Sequence, residues 1–130
     1  MNRINRFCIL GRLKEDPKYK ELESGKKVAN ICVVTERDYK NKDGETITDF
    51  LNFTLWDKQA ENINKISKKG DIICLDGIMT TKKVELTEGA RYFIEPVVEK
   101  YRHIASVKNM DHDDKEVNKS VELESEEMEK

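Results

Sequence analysis

Tyr39, Phe50 and Trp56 are the residues whose surroundings suggest chemistry. Phe50 and Trp56 belong to the run 46–56, where they alternate with aliphatic and aromatic neighbours. Successive side chains of a strand point to opposite faces, so Ile47, Leu51, Phe53 and Leu55 take the core side, interrupted only by Asp49. The other face carries Thr46, Thr48, Phe50, Asn52, Thr54 and Trp56. Two large rings among threonines and an asparagine are either covered by a subunit partner or loop, or form a platform on which nucleobases stack. Tyr39 follows Arg37 by two residues and precedes Lys40 and Lys42. A ring flanked by cations beside a loop suits a base stacked next to a phosphate, and a strand-end tyrosine equally suits half-buried packing. Lys82 and Lys83 prolong a later strand into a hairpin whose return brings Arg91, Tyr92 and Phe93.

Other chemistries find no residues to carry them. The chain holds no Walker-type phosphate loop and no dinucleotide fingerprint. His103 and His112 have no ligand spacing to a cysteine, so neither a zinc site nor another metal site is expected. Cys8, Cys32 and Cys74 each lie inside an apolar run, which reads as three reduced core thiols and not as a disulfide framework or a catalytic nucleophile. The carboxylates are scattered on charged faces. No enzyme activity and no cofactor are expected.

The elements that must position the rings follow from pattern. A β-rich run over 3–13 stops at Glu15-Asp16-Pro17, and 18–22 is a short extension. Residues 27–39 form a long Val- and Ile-rich strand, Asp43-Gly44 is a hairpin signal, and 46–56 is the third strand. The period then changes. Ala60, Ile63 and Ile66 sit three apart, a helical stripe over 57–70 with Asp57 as N-cap, Lys68 and Lys69 at the negative end and Gly70 in the left-handed closing position. Strands resume over 71–86, turn at Glu88-Gly89, and return over 90–101, where Pro96 demands an edge or a bulge. Five long strands with one short helix between the third and fourth predict an all-β, five-stranded Greek-key barrel of the oligonucleotide-binding type (OB-fold). A ferredoxin-like sandwich needs two helices. On such a barrel, Arg12, Lys14, Arg37, Lys82, Lys83 and Arg91 are the cations best placed to neutralise phosphates.

With 130 residues, 38% charged and 37% hydrophobic, and a mean hydropathy of -0.76, the chain is wetter than one compact domain requires. The net charge of -2 conceals a split: residues 1–110 hold 21 Lys+Arg against 17 Asp+Glu, and residues 111–130 hold three against nine. Beyond Arg102 the aromatic and β-branched residues thin out. The expected organisation is a basic domain over 1–104 and an acidic disordered tail over 105–130. No apolar run reaches the roughly 18 residues of a membrane span, and the N-terminus lacks a signal-peptide pattern, so an intracellular protein is expected.

The motifs carry a family resemblance. "FCILGRLKEDPKY" resembles the opening of bacterial and phage-type single-stranded DNA-binding proteins, with Gly11, Leu13, Asp16 and Pro17 in the family's places. "SGKKVANICVVTERDY" resembles the second strand, and "TDFLNFTLWDKQAENINKISKKGDIICLDGIMTTKK" the third strand, helix and fourth strand, with Trp56, Ala60, Glu61, Lys69, Gly70 and Gly77 matching. "RYFIEPVVEK" resembles the last strand, so the similarity covers about residues 3–101. The resemblance implies a homotetramer that coats single-stranded DNA in replication, recombination and repair, in the cytoplasm with the nucleoid. It also implies stacking at Tyr39, Phe50 and Trp56. A fourth family aromatic would fall at Val84, and the family's Pro-Phe tip is absent from the ending VELESEEMEK, so tail-mediated recruitment of repair and replication proteins is not expected. Two rivals stand beside it: a replication-restart adaptor on the same barrel, marked by fewer rings and no acidic tail, and a protein-interaction module.

The charge split yields a prediction. A tethered acidic tail competes with DNA for the basic face at millimolar effective concentration, and physiological salt, with a Debye length of about 8 Å, screens most of that competition. Ending the chain after Met110 should leave a folded oligomer that binds oligo-dT more tightly, with the gain largest at low salt and little loss of partner binding in a pull-down. Affinities of full-length and truncated protein at two salt concentrations check this; weaker binding after truncation, or an equal gain at both salts, contradicts it.

Overall fold

The computed structural model describes residues 3–107. In chain order it holds β1 (Phe7–Leu13), β2 (Lys18–Glu21), β3 (Lys27–Lys40), β4 (Thr46–Trp56), α1 (Asp57–Ile66), β5 (Ile72–Leu86) and β6 (Gly89–Ala105). β1 pairs in two directions. It runs antiparallel to β5 from Phe7↔Gly77 to Arg12↔Ile72, and antiparallel to β3 at Arg12↔Val34 and Leu13↔Val33. The sheet order is β1-β5-β6-β4-β3-β2, so the β1–β3 pairing closes five strands into a barrel and leaves β2 as a short edge on β3. β4 and β6 meet in parallel at Thr54↔Val97. This is the anticipated five-stranded barrel with one helix after the third long strand.

Two glycines permit the closure. A Cβ at Gly11 would stand 2.5 Å from Val33 Cγ1 and 2.7 Å from the Val34 carbonyl oxygen, and one at Gly77 would stand 2.0 Å from the Val97 carbonyl oxygen. Both mark places where one strand crosses close over another, and only a residue without Cβ fits there. Asn5 extends β1 by one more rung with its side chain, donating from Nδ2 to the Met79 carbonyl (2.9 Å) and accepting at Oδ1 from the Met79 N–H (2.9 Å).

The core follows the alternation read from sequence. Ile31, Val33, Phe53 and Leu55 from β3 and β4 meet Ile73 and Leu75 from β5, and Ala60 and Ile63 of α1 plug the barrel's end. The Phe7 and Phe53 rings pack with centroids 5.1 Å apart. Pro96 pairs with Met79 of β5 one residue before Val97, where β6 meets β4, so it lies at the limit of the β4–β6 pairing, beyond which β6 runs out along β5 into the hairpin.

Several local expectations fail, each for a reason. α1 ends at Ile66, which is exposed, and Ser67 closes the helix by donating its N–H to the Ile63 carbonyl (3.0 Å). Lys68 and Lys69 therefore lie past the helix, and Lys65 is the cation of its last turn. Gly70, at φ 91°, serves the turn into β5 and donates its N–H to the Leu13 carbonyl (2.9 Å). Asp57 makes no cap bond; its Oδ1 accepts the Lys27 N–H (3.1 Å) and ties the start of β3 to the start of α1. The thiols are not core groups: Cys8 is exposed and Cys32 and Cys74 are half-buried, because each takes the outward position between inward neighbours. At the C-terminal end, β6 reaches Ala105, and Val107 donates its N–H to the buried Asp71 at Oδ1 (3.2 Å). The tail expected over 105–130 lies almost wholly outside the described residues.

The β4 register makes a paired prediction. Phe53→Ala should cost about 3–5 kcal/mol of stability, as truncation of a buried ring does. Phe50→Ala should cost far less, because that ring is 56% exposed. Urea denaturation of both variants checks the pair; the reverse ranking would mean a register displaced by one residue.

Candidate nucleic-acid interface

Register sets the outward residues of the barrel in rows. Arg12 pairs with Val34 and Val34 with Phe50, so a guanidinium, an aliphatic side chain and an open ring lie side by side across β1, β3 and β4. Lys14 reaches into the same row from the end of β1, with its Nζ 5.0 Å from the Phe50 ring centroid. The ring quadrupole holds the ammonium there at little cost in hydration. Arg12 donates from Nη1 to the Gly70 carbonyl (2.9 Å), which fixes the guanidinium beside the seam between β1 and β5. Trp56 ends the same face of β4, half-buried where the strand passes into α1. Thr54, expected on the open side, is buried and donates from Oγ1 to Asn30 Oδ1 (3.3 Å).

Tyr39 is held differently. The β3–β4 ladder shifts register between Glu36↔Thr48 and Lys40↔Thr46, so the segment from Arg37 to Tyr39 bulges out of it. Within the bulge, Arg37 donates to both oxygens of Asp49, from Nε at 2.9 Å and from Nη2 at 3.1 Å. Its Nη1 donates to the Tyr39 hydroxyl at 3.1 Å, and the guanidinium stands 5.9 Å from the Tyr39 ring centroid. The polar interruption at Asp49 is thus an anchor: Asp49 holds Arg37, and Arg37 holds Tyr39 with its ring 60% exposed. The bond from Arg37 holds the Asp49 carboxyl below its usual range, and Asp49 pushes the Arg37 guanidinium up from its own. Arg37 therefore acts first as a positioning residue for the ring.

The remaining cations sit on the β5–β6 hairpin. Lys82 pairs with Phe93 and Val84 with Arg91, which places all four on one face. Lys83 pairs with Tyr92 on the other face, where its Nζ is 3.3 Å from Glu85 Oε1. The structure thus joins Lys82 to Arg91 and separates both from Lys83. Phe93 and Tyr92, 51% and 67% exposed, were not singled out as site residues from sequence. Counting the ladder back from the hairpin turn, where Leu86 pairs with Gly89, would have found them.

Near Phe50, an apolar groove of about 450 Å³ opens between β1, β4 and the hairpin base, lined by Phe7, Ile9, Leu51, Met79, Ile94 and Pro96 among others. Among the described residues, no cluster of three or more His, Cys, Asp or Glu is placed to hold a metal, and no helix is long and apolar enough to cross a membrane. His103 Nε2 lies 3.2 Å from Asp71 Oδ2 and 3.0 Å from Ser106 Oγ. Both contacts fall on one ring nitrogen, so these three residues form a structural clamp and not a relay, which needs both nitrogens.

The single-strand binding protein family matches residues 4–111. This chain belongs to that family. Its relatives include single-stranded DNA-binding protein 1 of Staphylococcus aureus strain MSSA476, 36% identical over 108 residues that cover 83% of this chain and 69% of the relative. The single-stranded DNA-binding protein of Staphylococcus aureus strain MRSA252 is 38% identical over 95 residues, which cover 73% of this chain and 61% of the relative. That of Halalkalibacterium halodurans is 37% identical over 95 residues, covering 73% and 56%. The match of this family member to these relatives thus spans 56% to 69% of their own length.

The Asp49 anchor predicts a pH dependence. A carboxyl whose folded value lies below its unfolded value contributes stability above the unfolded value and loses it as pH falls through the folded one. Wild type should therefore be more stable than Asp49→Asn at neutral pH, and the difference should disappear as pH falls below the ordinary aspartate value of 3.8. Urea midpoints of both proteins from pH 7 to pH 3 check this; a constant difference would mean the carboxylate charge is not what holds Arg37.

Proposed function

We propose that this chain binds and protects single-stranded DNA, with little sequence preference, in replication, recombination and repair. The observation that carries this reading is the outward row of Arg12, Val34 and Phe50 with the Lys14 ammonium over the ring, on a closed barrel of this family. Tyr39, Phe50 and Trp56 stack on bases, and sequence matters little because every base has a π-face. Arg12, Lys14, Lys82 and Arg91 neutralise phosphates and release counterions, and Lys83 adds charge from the far side of the hairpin. A duplex hides the faces that the rings need, so single strands are preferred.

The working unit is a homo-oligomer, with the homotetramer of the family as the expected form. The support is apolar surface that a lone barrel leaves open: the groove beside Phe50, together with Leu10 at 63% and Ile94 at 71% exposure. A second copy covering such surface removes it from water and multiplies contacts along one strand. The ligand places the protein with the nucleoid in the cytoplasm.

Oligo-dT titration tests the reading directly. Trp56 is the only tryptophan, so its emission should quench to a saturable, stoichiometric endpoint. Tyr39→Ala, Phe50→Ala and Trp56→Ala should each weaken binding by about 1–3 kcal/mol. Affinity should fall with salt at a log–log slope near -0.7 per phosphate neutralised. A flat salt profile with unchanged alanine variants would identify the ring-bearing face as a protein interface instead. Light scattering should give four times the chain mass.

A further inference from the structure

The two faces of the β5–β6 hairpin differ in kind. On one, Tyr92, Ile94 and Pro96 stand with Lys83 and Met79, and this face runs into the apolar groove beside Phe50. Its cation is engaged by Glu85. On the other, Phe93 lies directly opposite Lys82 and two residues from Arg91, which is opposite Val84. Phe93 is 51% exposed and has no place among the core residues. A directly opposed neighbour in an antiparallel ladder lies within reach of a long side chain, so the Lys82 ammonium can reach this ring from across the ladder, while along β6 Arg91 and Glu95 stand two residues to either side of it on the same face. Val84, diagonal to it on the same face, offers no aromatic surface.

The composition repeats that of the β4 row, where Phe50 stands with Lys14 and Arg12. An open ring that shares its face with two cations matches a nucleotide at both of its ends: the base stacks on the ring and the flanking phosphates meet the cations. A protein partner would find better surface on the hairpin's other, apolar face.

We propose that Phe93 is a further base-stacking residue, with Lys82 and Arg91 as its phosphate contacts, so that the hairpin holds a nucleotide in addition to those on β4. The proposal rests on the single-stranded DNA reading above. It assigns the stacking surface of the hairpin to β6, although the stretch of β5 before it carries the paired lysines.

The test uses the full chain and fluorescently labelled oligo-dT. Phe93→Ala and Phe93→Leu, the second of which keeps apolar bulk, should each weaken binding about 5- to 100-fold with an unchanged salt slope. Lys82→Ala should reduce the salt slope by about 0.7, as loss of one phosphate contact does. Thr81→Ala, on the opposite face, should bind as wild type. In a Trp56→Phe background, emission from the Phe93→Trp variant should quench on adding oligo-dT. Wild-type affinity in both Phe93→Ala and Phe93→Leu, or unquenched emission from Phe93→Trp while DNA is bound, would overturn this proposal alone. Failure of the wild-type chain to bind oligo-dT would instead overturn the reading on which it rests.

Discussion

Closure of the barrel depends on β1 pairing with β5 along most of its length and with β3 at its end. The strand can do both only if its backbone passes close to β3 at Gly11, and β5 passes as close to β6 at Gly77; a side chain at either glycine would collide with the neighbouring strand. Once closed, the barrel makes inside and outside unambiguous on every strand. A slip of one residue in β4 would exchange Phe53 for Phe50 and bury the wrong ring. The exposure of Phe50 is thus a consequence of packing Phe53, Leu55, Ile31 and Val33 inside.

Charge on this surface works in two ways. Some cations are committed to holding the protein's own groups: Arg37 to Asp49 and Tyr39, Arg6 to Asp76, Lys27 to Glu61. Others face outward beside rings, as Lys14 does over Phe50. On the function proposed above, the committed set would serve recognition indirectly. A tyrosine fixed by a bidentate-anchored guanidinium loses less freedom when a base stacks on it than a free one would. This division also explains why a mildly basic body can contain 17 acidic residues in its first 110 and still present cations where rings are exposed.

The hairpin extends the same logic away from the core. A strand pair that leaves the barrel has two solvent faces, and alternation lets each take a separate task. Here the side continuous with the barrel interior is apolar and suits another protein surface. The opposite side sets one ring, Phe93, beside Lys82 and Arg91 and suits a nucleic acid.

Local periodicity was enough to read the order of strands and helix, the Asp43-Gly44 and Glu88-Gly89 turns, and the inward and outward faces of residues 46–56 except at Thr54, which is buried. Each of these depends on residues within a few positions of one another, and a period of two or of three to four survives without knowledge of partners. The resemblance supplied the family, which the match over residues 4–111 bears out. What the alternation could not reveal was any relation across strands. The bulge that re-aims Tyr39, the Asp49 anchor, the bond from Lys27 to Asp57 and the placing of Phe93 opposite Lys82 all depend on cross-strand register. Register is decided by hydrogen bonds and packing between segments up to 74 residues apart, as in the Asn5–Met79 pair, so tertiary structure alone could settle which side chains meet.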